Sequence, residues 1–279
     1  MIRARKRFGQ HFLEPAWVSK VITAIDPRPD QSFIEIGPGP GALTRPLAAL
    51  ARSVTAFEID RDLAAALTAE AIPNLTVIGG DFLEIADTTS PQPFAISPQL
   101  LALSPCRVAG NLPYNVASPI MFKLLELHAA GVPLLDATLM LQREVADRLV
   151  APPGSKEYGV LSILIGRAAD VDTVLKLPAG AFRPAPKVLS SLVRLRFRAP
   201  RPAVLDDALF DRMVQAVFTR RRKTMSNGLL AFDGGPTRLT PGDALAAAGL
   251  DGSRRPETLS IAEFARLADA YVRAQRAVL

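Results

Sequence analysis

Short apolar runs alternate with segments of helical period through the first half of the chain. SFIEIG (32–37), SVTAFEID (53–60), LTVIGGDFLEI (75–85), CRVAG (106–110) and DATLMLQ (136–142) are rich in β-formers and read as five strands. ALTRPLAALA, RDLAAALTAEA, VASPIMFKLLELHAA and REVADRLVA lie between or after them with helical character. Strands that alternate with helices predict a parallel sheet covered on both faces. Further on, GVLSILIGRAADV and KVLSSLVRLRF are β-rich or mixed and are expected to add edge strands.

The pattern changes near residue 199. APRPAVLDD has prolines and no period, which marks a linker. Beyond it Phe210, Met213, Val214, Val217 and Phe218 share one helical face. Ser260 and Glu263 form a capping box, and Phe264, Leu267 and Tyr271 follow on a buried side. The expectation is an α/β domain over 1–200 with a smaller α-helical domain over 201–279. The Pro/Ser-rich stretch 86–99 reads as an exposed loop, and no internal repeat is visible.

A length of 279 residues, 49% of them hydrophobic, suits such a core. One cysteine, Cys106, excludes an internal disulfide and fits a reducing compartment. The basic start MIRARKRFGQHF has no apolar segment behind it, so a cytoplasmic protein without a membrane anchor is expected. The net charge of +6 is concentrated in two places. Arg3, Arg5, Lys6 and Arg7 form one cluster; Arg220, Arg221, Arg222 and Lys223 form the other. Two compact basic clusters point to a polyanion partner.

EIGPGPGAL places Gly37, Gly39 and Gly41 between the first strand and the first helix. Glycines there let a ligand approach the backbone, and ligands of such sheets bind at the carboxyl ends of the strands. Glu58 ends the second strand, where a carboxylate can accept from both ribose hydroxyls. Asp81 ends the third, placed to meet a base amino group. The loop also satisfies GxGxxA, ending at Ala42, so a nicotinamide enzyme is a rival at this point.

The fourth strand separates these readings. It runs into GNLPYNVASPI (110–120). A hydride-transfer enzyme needs an acid such as His, Lys or Tyr there. Asn111, Leu112, Pro113 and Tyr114 suit an aromatic amine instead. The exocyclic nitrogen of adenine has its lone pair delocalised into the ring. Two acceptors on its N–H groups, the Asn111 side-chain oxygen and the Leu112 carbonyl, favour a more pyramidal nitrogen. Pro113 stiffens the turn, and Tyr114 can stack on the base, worth roughly 1–3 kcal/mol. The matching methyl donor is S-adenosylmethionine. No metal is expected, because two distant histidines and one cysteine make no ligand set.

These residues sit in a wider set of motifs: RFGQHFL (7–13), EIGPGPGALT (35–44), FEIDRDL (57–63), GDFLE (80–84), LQREVADRL (141–149), FRPAPKVLSSLVRL (182–195), FTRRRKT (218–224) and RPETLS (255–260). Over nearly its whole length the chain resembles the ribosomal RNA adenine-N6,N6-dimethyltransferases of the bacterial small-subunit type. The resemblance implies a Rossmann-like class I S-adenosylmethionine-dependent methyltransferase domain. It implies that His11 and Leu13 join Gly37, Gly39, Glu58, Asp81 and Asn111 around the cofactor, and that Phe182 is a second aromatic near the target adenine. It also implies a substrate: two adjacent adenines in a hairpin loop near the 3′ end of 16S rRNA, within an immature small subunit. A monomer is expected, with Arg220–Lys223 on RNA phosphates. Many family members carry Asn in place of His11 and an acid in place of Leu189. A non-catalytic RNA-binding assembly factor on the same fold, and a large-subunit rRNA methyltransferase, are the alternatives. His128 reads as a surface or helix-cap residue, Cys106, Trp17 and Tyr158 as packing, and Arg143 and Glu144 as helix-start charges.

Overall fold

The computed structural model describes residues 11–84, 105–235 and 239–277. The basic cluster at Arg3–Arg7 and the loop expected over 86–99 lie outside these residues.

The elements of the first part are β1 (Phe12–Leu13), α1 (Pro15–Ile25), β2 (Ser32–Ile36), α2 (Thr44–Leu50), β3 (Ser53–Glu58), α3 (Arg61–Thr68), β4 (Leu75–Gly79), β5 (Cys106–Asn111), α4 (Ala117–Ala129) and β6 (Leu134–Gln142). Then come α5 (Arg143–Leu149), α6 (Val160–Ala168), β7 (Ala169–Leu177), β8 (Phe182–Arg183) and β9 (Ser190–Phe197). The main sheet has seven strands in the order β4-β3-β2-β5-β6-β9-β7. β4, β3, β2, β5 and β6 pair in parallel, and β9 pairs antiparallel with β6. Every residue of β2 is buried, as a central parallel strand with both faces covered requires. The fold is a Rossmann-like α/β fold with a mostly parallel sheet.

Two expectations are corrected. VLSILIGRA is helix α6, not a strand. A short apolar run buried all round carries no period that separates helix from strand. KVLSSLVRLRF does supply β9, but inside the sheet; β7 holds the edge. Ion pairs of Arg196 with Asp172 and Arg198 with Asp170 tie β7 to the end of β9.

Contacts divide the chain into two units, residues 1–146 with 170–198, and residues 147–169 with 199–279. In the second unit α6 packs on α7 (Asp207–Thr219), followed by α8 (Met225–Gly228), α9 (Pro241–Ala247) and α10 (Ile261–Arg276). Leu209, Phe210, Met213, Val214 and Val217 form the buried face of α7. The Ser260–Glu263 capping box opens α10, and Arg254 pairs with Glu263. That ion pair and the Ser260 bonds hold the Glu263 carboxyl down at about 2. Phe264, Leu267 and Tyr271 are buried. No helix among the described residues is long and apolar enough to cross a membrane.

Arg107 ties the amino end of β5 to the end of α1. Its Nε donates to Asp136 at 3.0 Å, Nη1 to the Asp26 carbonyl and the Gln31 side chain, and Nη2 to the Ile25 carbonyl. Both partners of the ion pair are largely buried. Removing one partner of a buried pair leaves an uncompensated charge. Arg107→Ala is expected to lower unfolding stability by about 3–5 kcal/mol in urea titration. A loss under about 1 kcal/mol would show the pair to be dispensable.

Candidate active site

The order of the strands reverses between β2 and β5. Crevices at such switch points, beyond the carboxyl ends of the strands, take ligands. A cavity of about 300 Å³ opens there, walled by the loop after β2, the ends of β3 to β5, and β1.

Gly37, Gly39 and Gly41 have φ of 69°, 57° and 84°, in the left-handed region that favours glycine. That conformation turns the Gly39 amide onto Glu58 Oε2 at 2.8 Å. The Asp60 amide donates to Oε1 at 2.9 Å. The carboxylate at the end of β3 is thus locked in place and buried. A carboxylate oxygen accepts more than one hydrogen bond, so both can still take ribose hydroxyls. Burial pushes the Glu58 carboxyl up, against the amide bonds that pull it down. Asp81 holds its own turn, its Oδ1 accepting from the Leu83 amide at 2.9 Å. Phe57 and Phe82 meet edge to face at 5.4 Å in the wall, and Ile59 is half-exposed at its rim.

Gly110 explains how the next motif gets in. A Cβ there would meet the Ile36 carbonyl at 2.9 Å, so only glycine lets β5 lie this close to β2. Asn111 follows, and its Nδ2 donates to the His11 carbonyl at 2.7 Å. That bond orients the amide and leaves Oδ1 as an acceptor for a ligand. The His11 Nδ1 bonds the Pro184 carbonyl at 2.6 Å, and its ring stacks on Tyr114 at 5.6 Å and 25°. Tyr114 reaches the Ser190 hydroxyl at 2.8 Å. Burial raises the phenol above its ordinary value, so it is neutral near pH 7.

The cavity brings together His11, Leu13, Gly37, Gly39, Glu58, Asp81, Asn111, Leu112, Pro113 and Tyr114. Phe182 does not join them. β8 pairs with β1, Leu13 opposite Phe182, and alternation along two residues turns Phe182 into the core and Arg183 outward. The FRPAP stretch instead offers its Pro184 carbonyl to His11. Arg220, Arg221, Arg222 and Lys223 lie in the second unit, just after α7. Arg221 donates to the carbonyls of Ser155 and Lys156, while Arg222 and Lys223 are exposed. Cys106 and Tyr158 are core residues, and His128 stacks on Phe197 at 5.4 Å.

A model of the family described as ribosomal RNA adenine dimethylase matches residues 1–271. The chain belongs to this family. It is similar to the ribosomal RNA small subunit methyltransferase A of Acinetobacter baylyi, 41% identical over 275 residues, 97% of this chain and 93% of that one. The protein of that name from Myxococcus xanthus is also 41% identical, over 95% of this chain and 90% of its own. Among solved structures, a dimethyladenosine transferase from Plasmodium falciparum superposes with a TM-score of 0.70 at 25% identity, covering 92% and 96% of the two chains. The 23S rRNA methyltransferase ErmE superposes with a TM-score of 0.60 at 30% identity, covering 94% and 99%. The rRNA adenine dimethylases are S-adenosylmethionine-dependent enzymes, and this chain is one of them.

The dimethylase cavity holds one acid that strand patterning passed over. Glu35 stands in the middle of SFIEI, on the cavity wall and 1% exposed. Its Oε2 is buried without a hydrogen-bond partner among the described residues. Burial raises its carboxyl to about 7; the nearby Thr44 hydroxyl offsets part of this, and the Glu58 charge adds to it. An orphaned buried carboxyl is chemically suited to a cationic ligand in this cavity. The sequence signal was an acid inside an otherwise apolar strand.

Glu35 makes stability depend on pH. The folded protein holds its proton more tightly than the unfolded chain, whose value is near 4.5. Its contribution is therefore intact below about 4.5 and is lost as pH rises through about 7. Across that window Glu35→Gln is expected to gain on wild type by about 3 kcal/mol, at roughly 1.4 kcal/mol per pKa unit. Urea titrations below, within and above the window measure it; a constant difference would mean that Glu35 titrates alike in the folded and the unfolded chain.

Proposed function

We propose that this protein transfers methyl groups from S-adenosylmethionine to the N6 amines of two adjacent adenines in a hairpin loop near the 3′ end of 16S rRNA. The product is N6,N6-dimethyladenosine, made during assembly of the small ribosomal subunit. Its similarity to ribosomal RNA small subunit methyltransferases supports the substrate class. The observation that carries the chemistry is the Asn111 amide, oriented through Nδ2 by the His11 carbonyl at 2.7 Å.

Bound S-adenosylmethionine supplies an electrophilic methyl group on sulfur. The protein's part is to hold and align. Glu58 would hold the ribose hydroxyls, Asp81 the amino group of the cofactor's base, and the Gly37–Gly39 backbone would face the rest of the cofactor. Asn111 Oδ1 and the Leu112 carbonyl accept from the two N6 hydrogens of a splayed-out adenine, which localises its lone pair. Tyr114 stacks on the base. Alignment of this kind supplies much of the rate of a bimolecular transfer. A strong general base is unnecessary, because the proton leaves once the methylated nitrogen is positively charged. After one methylation a single N–H remains, and one of the two acceptors still serves it.

Arg222 and Lys223 are suited to RNA phosphates, whereas Arg221 spends donors on its own fold. RNA loops are recognised by stacking and backbone contacts, and the target base must leave its stack. The enzyme works in this reading as a cytoplasmic monomer on an immature small subunit.

Methyl transfer from labelled S-adenosylmethionine to unmethylated small subunits tests the reaction, with nucleosides identified after digestion. Wild type is expected to give dimethyladenosine, and Asn111→Ala roughly 100-fold less in kcat. Subunit binding without transfer by wild type would favour the assembly-factor reading. Arg222→Ala with Lys223→Ala is expected to weaken subunit binding and to flatten its salt dependence by about one unit of slope for each phosphate that is no longer neutralised. An unchanged slope in a binding titration from about 50 to 200 mM salt would remove the pair from the RNA interface.

A further inference from the structure

We infer that Ser190 is a positioning residue for methyl transfer, acting through Tyr114. This rests on the reading of Tyr114 as the residue that stacks on the target base.

Ser190 is the first residue of β9 and lies opposite Gln142 of β6. Tyr114 comes from the turn after β5, one strand further across the sheet. The 2.8 Å bond between the two hydroxyls therefore ties that turn to a strand that is not its neighbour. Ser190 is 2% exposed, and a buried hydroxyl needs a partner; the Tyr114 phenol is that partner. The start of β9 is itself pinned, because the Leu189 carbonyl accepts from the Arg143 amide at 2.9 Å. Leu189 thus contributes its backbone here, while its side chain is half-exposed.

Tyr114 has only two side-chain torsions. Its ring is held by the stacked His11 ring at 5.6 Å, and its far end by Ser190. Without the Ser190 hydroxyl the ring can pivot about its own attachment, and a base stacked on it pivots too. The reacting nitrogen then leaves the line set by the Asn111 and Leu112 acceptors. Packing alone would be met as well by alanine at 190, so the hydroxyl points to alignment.

The test compares wild type, Ser190→Ala, Ser190→Thr, Tyr114→Phe, the Ser190→Ala/Tyr114→Phe double variant and Tyr114→Ala. Steady-state methylation of unmethylated small subunits gives kcat and KM, equilibrium dialysis gives S-adenosylmethionine affinity, and thermal melting gives the folded fraction. Ser190→Ala is expected to lose about fivefold in kcat, the scale of one neutral hydrogen bond. Its cofactor affinity should match wild type, its melting transition should stay above the assay temperature, and Ser190→Thr should recover at least half the rate. Tyr114→Phe should lose as much as Ser190→Ala, and the double variant no more than either, since both break one bond. Multiplying losses in the double variant would overturn the assignment. Wild-type rates for Ser190→Ala beside a deep loss for Tyr114→Ala would sink Ser190 alone. Wild-type rates for Tyr114→Ala would sink the stacking reading itself. If Ser190→Ala fails to fold, Tyr114→Phe at the wild-type rate overturns the proposal.

Discussion

Gly110 stands opposite Ile36 with no room for a side chain, since a Cβ would come within 2.9 Å of the Ile36 carbonyl. This close parallel pairing of β2 and β5 is the junction at which strand order reverses. It sets the glycine loop after β2 beside the Asn111 turn after β5. A hypothetical Cβ on Gly37 lies 3.9 Å from the Asn111 carbonyl. The proposed cofactor loop and the proposed amine-binding turn are thus neighbours because two backbones are neighbours. Methyl transfer needs donor and acceptor in line within a few ångströms, and the sheet provides that proximity before any ligand arrives.

Charge is distributed unevenly along this cleft. Two buried acids, Glu35 and Glu58, lie on the proposed cofactor side, and both hold their protons more tightly than free carboxyls do. The residues proposed to meet adenine are neutral: an amide, a carbonyl and an un-ionised phenol. A cationic methyl donor favours the acidic side. A neutral amine that becomes cationic only during reaction is better served by neutral acceptors, which neither demand nor repel a charge in the ground state.

The turn that would hold the base depends on segments distant in the chain. The β1–β8 ribbon carries His11 to Tyr114 and brings its carbonyl to Asn111. Pro184 and Ser190 then fix His11 and Tyr114 from the stretch that follows β7. Asn111, Tyr114, His11 and Ser190 therefore form one connected group.

The five parallel strands were legible in the sequence because each is a short β-rich run, and four of them end at a turn residue or an acid. Gly37, Glu58, Asp81 and Asn111 were legible because ligand chemistry in such sheets gathers at strand ends. The capping box at Ser260–Glu263 was legible because it is local. What the sequence could not settle was non-local. VLSILIGRA has no period to choose helix over strand, and its burial in the second unit decided for helix. Phe182 looked available beside the FRPAP motif, yet pairing with Leu13 turned it inward, a matter of register rather than residue type. Glu35 looked like strand filler until both sheet faces closed over it, because desolvation depends on what surrounds a carboxyl. Residue identities determined which chemistry this protein can perform; the tertiary structure decided which side chains face that chemistry, because burial and strand register are properties of the packed chain.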